Sequence, residues 1–292
     1  MAELRLDVGS GPLRTEHERL LRTALRRGDT DPEGALADGA LAGTYSDRAR
    51  ALARNTWRAR MVHEHQSAAV FARLLPQLMA AAATLEHKTT VLRMAMDELR
   101  HASLCAGVVT LLGGEPVAET ELATQPLPDH PDAPPLEACL RNVMFVGCLS
   151  ETVSIALLTE ERELTTEPVI RRVVEQLAAD EVLHAKLGWS FLAATWPTLD
   201  FEGRERTERY LPVAFRHLRA KMHEAMPLGA PIGPELKREL EALGVMTSEE
   251  GRELFAATVD AVIVPRLVDH GLTTAPDAWA VAEAAPVLPS AR

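Results

Sequence analysis

Aromatic residues make up only 4% of this 292-residue chain. No stretch alternates polar and apolar side chains with the period of two that marks a half-buried strand. With few β-branched and aromatic side chains to pack a pleated surface, a sheet-based fold is disfavoured. Basic residues are in deficit: 31 Lys and Arg against 42 Asp and Glu give a formal charge of −11. That balance argues against a nucleic-acid partner, whose phosphates must be neutralised by Lys and Arg. Cysteine is scarce as well. Cys105, Cys139 and Cys148 show no framework spacing and read as reduced thiols of a cytosolic protein. The opening residues lack the apolar core of a signal peptide. No apolar run approaches the roughly 20 residues that cross a bilayer. A cytoplasmic protein without membrane contact is the expectation.

What is abundant is Ala, Leu, Arg and Glu, within 47% hydrophobic and 25% charged residues. These side chains lose little freedom in a helix, so the fold class is all-α. Residues 1–45 are expected to hold one short amphipathic helix, near Thr15 to Arg27, and a Gly/Asp-rich loop. Ser46 and Asp47 resemble an N-cap and acidic first turn, opening a helix to about Ala83 that Pro76 is expected to bend. Thr84 is placed to cap a second helix ending at Gly113 and Gly114. Prolines crowd 115–135, predicting a long surface connection without regular structure. A third helix is predicted from about Leu136 to Leu164. A fourth follows, with Thr166 as its cap and Pro168 in its first turn, and runs to Thr195. Beyond it, a helix over 200–226 is disturbed at Pro212, Pro227 to Pro234 form a linker, Thr247 to His270 carry one or two helices, and the Ala/Pro-rich tail from Thr273 is expected to be poorly ordered. The order is a helix pair, a long crossover, a second pair (46–196) and a helical extension packed against them (197–292).

Two of the ten histidines follow a Glu by three residues, and about one such hit is expected by chance. Context makes them informative. Asp97-Glu98-Leu99-Arg100-His101-Ala102 and Asp180-Glu181-Val182-Leu183-His184-Ala185 are two copies of Asp-Glu-x-x-His-Ala, one in each pair. Residues i and i+3 share a helix face, with β-carbons roughly 5–6 Å apart, so each Glu and His can grip one metal ion together. Both fall on apolar stripes: Val91, Met94, Glu98, His101, Cys105, Val108 on one helix, and Val173, Leu177, Glu181, His184, Gly188, Phe191 on another. The other two helices carry one acid each in similar stripes, Glu64 among Trp57, Met61, Ala68 and Phe71, and Glu151 among Met144, Gly147, Ile155 and Leu158. An unpaired buried ion costs several kcal/mol. Divalent cations relieve that cost, since carboxylate oxygens and imidazole nitrogens suit iron, manganese or zinc. The spacing agrees: Glu64 and Glu98 are equidistant from Ala81, and Glu151 and Glu181 from Thr166, so an antiparallel hairpin brings each pair level.

One Glu from each of two helices and Glu-x-x-His from each of the other two is the pattern of the ferritin-like superfamily of di-iron and di-manganese carboxylate proteins, which 46–196 resembles. The run 97–101 is similar to that of bacterial multicomponent monooxygenases, acyl desaturases and the ribonucleotide reductase small subunit. The resemblance implies a ferritin-like four-helix bundle with a long crossover and two iron ions, manganese or a mixed iron–manganese pair being alternatives. It implies that Glu64 and His101 hold one ion, Glu151 and His184 the other, with Glu98 and Glu181 bridging. Asp97 and Asp180 would accept from the ligand histidines of the opposite hairpin. The chain also departs from branches of the superfamily. Tyr45 and Tyr210, its two tyrosines, lie off the ligand stripes, Ser154 stands where rubrerythrins add a Glu, and Leu177 where N-oxygenases add a histidine.

Other polar residues draw plainer readings. Arg100 either pairs with the aspartates or faces water. His63, His65, His217 and His223 are interhelical or superficial, and Cys105 is a small buried apolar group. Gly147 and Gly188 leave room for a substrate or let helices approach. Two functions follow from the resemblance. One is an oxygen-activating oxidoreductase that hydroxylates, N-oxygenates or desaturates a small organic molecule, with an electron donor as partner and a homodimer as the expected assembly. The other is a ferroxidase, iron carrier or peroxide scavenger without an organic substrate.

Overall fold

The computed structural model describes residues 2–5, 32–124 and 126–286. The helix expected near Thr15 to Arg27 lies outside them. Among the described residues the fold is all-α, apart from one short pairing that the sequence reading did not foresee. β1 (Ala2–Arg5) lies antiparallel to β2 (Val117–Thr120), with Ala2 opposite Thr120. β2 sits inside the proline-rich connection, too short to show alternation.

After α1 (Pro32–Asp38) comes α2 (Asp47–Ala80). The Ser46 hydroxyl caps α2 by accepting from the Ala49 amide, and also donates to Glu239 at 2.6 Å. Pro76 lies inside α2 without ending it. α3 (Leu85–Leu111) follows a tight turn in which Ala82 takes φ 51°. Gly113, at φ 80°, closes α3 in the left-handed conformation that glycine adopts without strain.

α4 (Pro135–Val143), a π-helical segment (Met144–Ser150) and α5 (Glu151–Leu164) run on as one rod. Contrary to the reading of the sequence, this rod is long and apolar enough to cross a membrane by length and composition. It lies packed among other helices, its most apolar stretch mostly buried. α6 (Pro168–Thr195) is capped by Glu167, not Thr166. The Glu167 carboxylate instead accepts from the Ala42 and Gly43 amides and the Tyr45 hydroxyl, tying the approach to α2 onto the α5–α6 turn.

The extension holds α7 (Phe201–Ala225), uninterrupted at Pro212, and α8 (Pro234–Ala242), which the sequence reading missed. Then come α9 (Ser248–Thr258), opened by a Thr247–Glu250 capping box, a π turn (Val259–Ile263), and α10 (Val264–Asp269). α11 (Ala275–Ala284) corrects the expected disorder of the tail. It packs on α7 by burying Ala275, Ala278, Trp279 and Ala282.

The core is in two pieces. Phe71, Leu74, Met94, Leu140, Met144, Leu187 and Phe191 belong to one apolar cluster, which continues under α7 and α9–α11. Trp57, Met61, Leu104, Val108, Leu158, Val173 and Leu177 belong to the other, closed by Leu240 and Leu243 of α8 and its end. On α2, α3 and α6 the change of cluster falls at Glu64, Glu98–His101 and Glu181–His184, and on α5 it falls between Leu157 and Leu158, past Glu151. A polar layer divides the interior.

Candidate metal centre

Each of the four helices delivers its acid to that layer, and α3 and α6 add a histidine one turn on. Glu64, Glu98, His101 and Glu181 offer one ligand atom each within 4.8 Å of one another, and so do Glu151, Glu181 and His184. Glu181 belongs to both sets. The His184 Nδ1 lies 3.1 Å from Glu98 Oε1, 3.1 Å from Glu181 Oε2 and 3.8 Å from Glu151 Oε2. The His101 Nδ1 lies 3.6 Å from Glu181 Oε1, 3.8 Å from Glu64 Oε2 and 4.0 Å from Glu98 Oε1. Glu98 therefore also neighbours both imidazoles. Both histidines are fully buried, and Phe71 meets the His184 ring edge-on at 5.3 Å. Glu64 and Glu151, each 9% exposed, are the acids nearest to solvent. They come from α2 and α5, which make at most a glancing contact with each other.

The far nitrogens of the two imidazoles point at the aspartates. His101 Nε2 lies 3.1 Å from Asp180 Oδ2, in hydrogen-bonding geometry. His184 Nε2 lies 3.7 Å from Asp97 Oδ2 and has no hydrogen bond. Each imidazole thus faces the aspartate of the other hairpin. With Nε2–H donating to Asp180, the His101 Nδ1 lone pair faces the carboxylates.

The surroundings of the aspartates were largely hidden in the sequence. Arg100 is fully buried and donates from Nη1 to Asp180 (3.4 Å) and from Nε to Glu33 of α1 (3.0 Å). Gln176 donates to the same Asp180 oxygen at 2.9 Å. Asp97 accepts from Arg93 at 2.6 Å. Arg93 and Gln176 each stand four residues before their aspartate, one turn away on the same face, and that was the signal available in the sequence. Glu33 gave none. Next to Glu151, Thr152 accepts from the indole nitrogen of the buried Trp189 at 3.0 Å, which fixes the start of α5 against α6. Just before it, the π segment brings Gly147 against Gly188, so close that a β-carbon on Gly147 would sit 2.7 Å from the Gly188 Cα. Here the glycines serve helix approach.

Charge and burial conflict in this layer. Burial pushes Glu98 well above the ordinary carboxylate range, helped by Glu64, and burial and Glu181 push Glu151 up in the same way. Burial would also raise Glu64 and Glu181, but the adjoining His101 and His184 outweigh it and hold both acids low. Burial disfavours charge on the imidazoles, yet the Asp180 hydrogen bond and Glu64 raise His101 well above its ordinary value, and Glu181 with its neighbours does so for His184. Protons stand in for cations wherever carboxylates crowd together.

The donor set fits a pair of divalent ions. Four carboxylates match the four positive charges of such a pair, while Asp180 and Asp97 are already matched by Arg100 and Arg93. The buried Nδ1 atoms of both histidines and Oε2 of Glu181 make no hydrogen bond, although oxygens surround them. Nitrogens aimed at carboxylate oxygens without hydrogen-bonding geometry suit a shared cation. Cys105, one turn past His101, is in neither donor set, and burial, then Glu64, pushes its thiol well up. His63 and His217 are exposed, while His65 and His223 are half-buried. Tyr45 bonds Glu167, and Tyr210 packs on His130, both away from the site. No protein-family model matches the chain, and no curated protein shows significant similarity to it.

Proposed function

We propose that this protein is a di-iron oxidoreductase of the ferritin-like kind, in which oxygen is activated to oxidise a small organic substrate by hydroxylation, N-oxygenation or desaturation. The observation that carries the reading is the convergence of four glutamates and two imidazole Nδ1 atoms in a layer walled by apolar side chains. When bound, a pair of ferrous ions supplies the electrons that reduce oxygen. Glu64 and His101 would hold one ion and Glu151 and His184 the other, with Glu98 and Glu181 between them. Asp180 holds the His101 ring in the orientation that turns Nδ1 inward. Phe71, Met61, Leu177 and Leu187 exclude water around the layer, which strengthens every charge interaction inside it. Small molecules would reach the site on the side of Glu64 and Glu151, its most exposed acids. An electron donor and a second copy of the chain belong to the same proposal.

The test is anaerobic loading with ferrous iron followed by exposure to oxygen. The expected result is two iron ions per chain, stoichiometric oxygen uptake and a transient absorbing species. Iron-loaded protein that consumes no oxygen would refute the proposal. Mineral growth or peroxide turnover in place of organic oxidation would assign the site to iron handling.

A further inference from the structure

The two copies of Asp-Glu-x-x-His-Ala agree in their ligating residues and differ just beside them. Where the first copy has Arg100, two residues after its glutamate, the second has Leu183. Where Arg93 precedes Asp97 by four residues, Gln176 precedes Asp180. The consequence is visible around the aspartates. Asp180 Oδ2 receives Arg100, Gln176 and His101 together, in an environment closed to water. Each aspartate keeps one oxygen without a partner, but at Asp97 that is the oxygen facing the histidine: Arg93 binds Oδ1, and Oδ2 stays 3.7 Å from His184 Nε2. One imidazole is anchored on its far side and the other is not.

We propose that the two metal positions have unequal affinity: the position around His101 fills first and holds its ion more tightly, because Asp180, fixed by Arg100 and Gln176, keeps that imidazole in its ligating orientation. Asp180, Arg100 and Gln176 are positioning residues in this scheme. A histidine whose ring is already oriented gives up less freedom on binding, and losing such a partner typically weakens a metal site by about 10–100-fold. The inference rests on the two-metal reading of the site.

The experiment is titration of metal-free, full-length protein with Mn(II), followed by equilibrium dialysis and electron paramagnetic resonance. Two affinity classes are expected, separated by about tenfold or more. Sub-stoichiometric manganese gives the six-line signal of an isolated ion, and a coupled pair appears only past one equivalent. Asp180→Asn weakens the tighter class by about 10–100-fold, while Asp97→Asn leaves that class unchanged. Gln176→Leu, which removes only the amide anchor, weakens it in the same direction and serves if Asp180→Asn does not fold. Two equal classes, a coupled spectrum from the first addition, or an Asp180→Asn titration matching the parent would overturn the inequality and leave the two-metal reading standing. No manganese or iron uptake at all would overturn both.

Discussion

The halves of the candidate metal layer are a repeat in sequence and unlike in structure. Around Asp180 the oxygen that faces the histidine is fully engaged: a guanidinium with no exposure, an amide and an imidazole all meet it, while the other oxygen has no partner. Around Asp97 the set is open, since its cation Arg93 is a quarter exposed. What differs is not the ligand set but what holds it. Identical ligand motifs do not make identical sites when the residues beside them differ, because orientation and dielectric come from those neighbours.

That contrast can be broken at several depths. The largest effect is expected at the group common to both halves. Glu181→Ala removes a donor from each set and abolishes stoichiometric metal uptake, which elemental analysis measures directly. Retention of two ions per chain would show that the halves do not share this carboxylate. Next is Arg100→Leu, which strips the buried Asp180 of its cation and should cost about 3–5 kcal/mol in urea unfolding of the metal-free protein. Arg93→Leu leaves the equally buried Asp97 without its cation, but Arg93 itself is a quarter exposed, so a smaller loss of about 1–3 kcal/mol is expected. Equal losses would erase the distinction. Chelation comes third. With metal present at a hundredfold over its Kd, removing it should cost about 2.7 kcal/mol, seen as a fall in Tm.

The smallest expected effect is a trend with pH. The raised His101 and His184 favour the metal-free fold below the ordinary histidine range, and that contribution is lost as pH climbs through their folded values. The raised Glu98 and Glu151 act in the same direction, from the ordinary carboxylate range upward. The depressed Glu64 and Glu181 contribute above the ordinary carboxylate range and lose their contribution in acid. Metal must displace the protons on the raised groups, so its stabilising increment should grow between about pH 5 and pH 8, with proton release in a weakly buffered titration. An increment independent of pH would mean that the cluster binds no protons in that range.

The helices were legible because their apolar stripes are regular, and Glu64, Glu98, Glu151 and Glu181 stood out as acids interrupting those stripes at matching heights. Their convergence with His101 and His184 follows from hairpin symmetry. What escaped the reading depended on contacts distant in sequence. Glu33 reaches Arg100 across 67 positions, and β1 pairs with β2 only because the fold brings the chain start to the end of α3. Helix α8 was hidden because it starts on Pro234, the last of the linker prolines. The π segment was invisible because residues 144–150 read equally well as α-helix, and only the meeting of Gly147 with Gly188 discloses the wider turn. The alternative positions for Arg100 were resolved by burial: a guanidinium on α3 is forced inward once α1 covers it and supplies Glu33.

The division of the interior has a consequence for how the protein comes apart. Oil on either side of a charged seam coheres within itself but gains little across the seam, where apolar side chains do not meet. Cations lying in that seam would therefore act as rivets between two blocks that otherwise separate independently. Stripped of metal, the chain should lose its single cooperative transition, with amides near Trp57 and Leu177 exchanging hydrogen at rates unlike those near Phe71 and Leu140. Supplied with metal, the two blocks should melt as one.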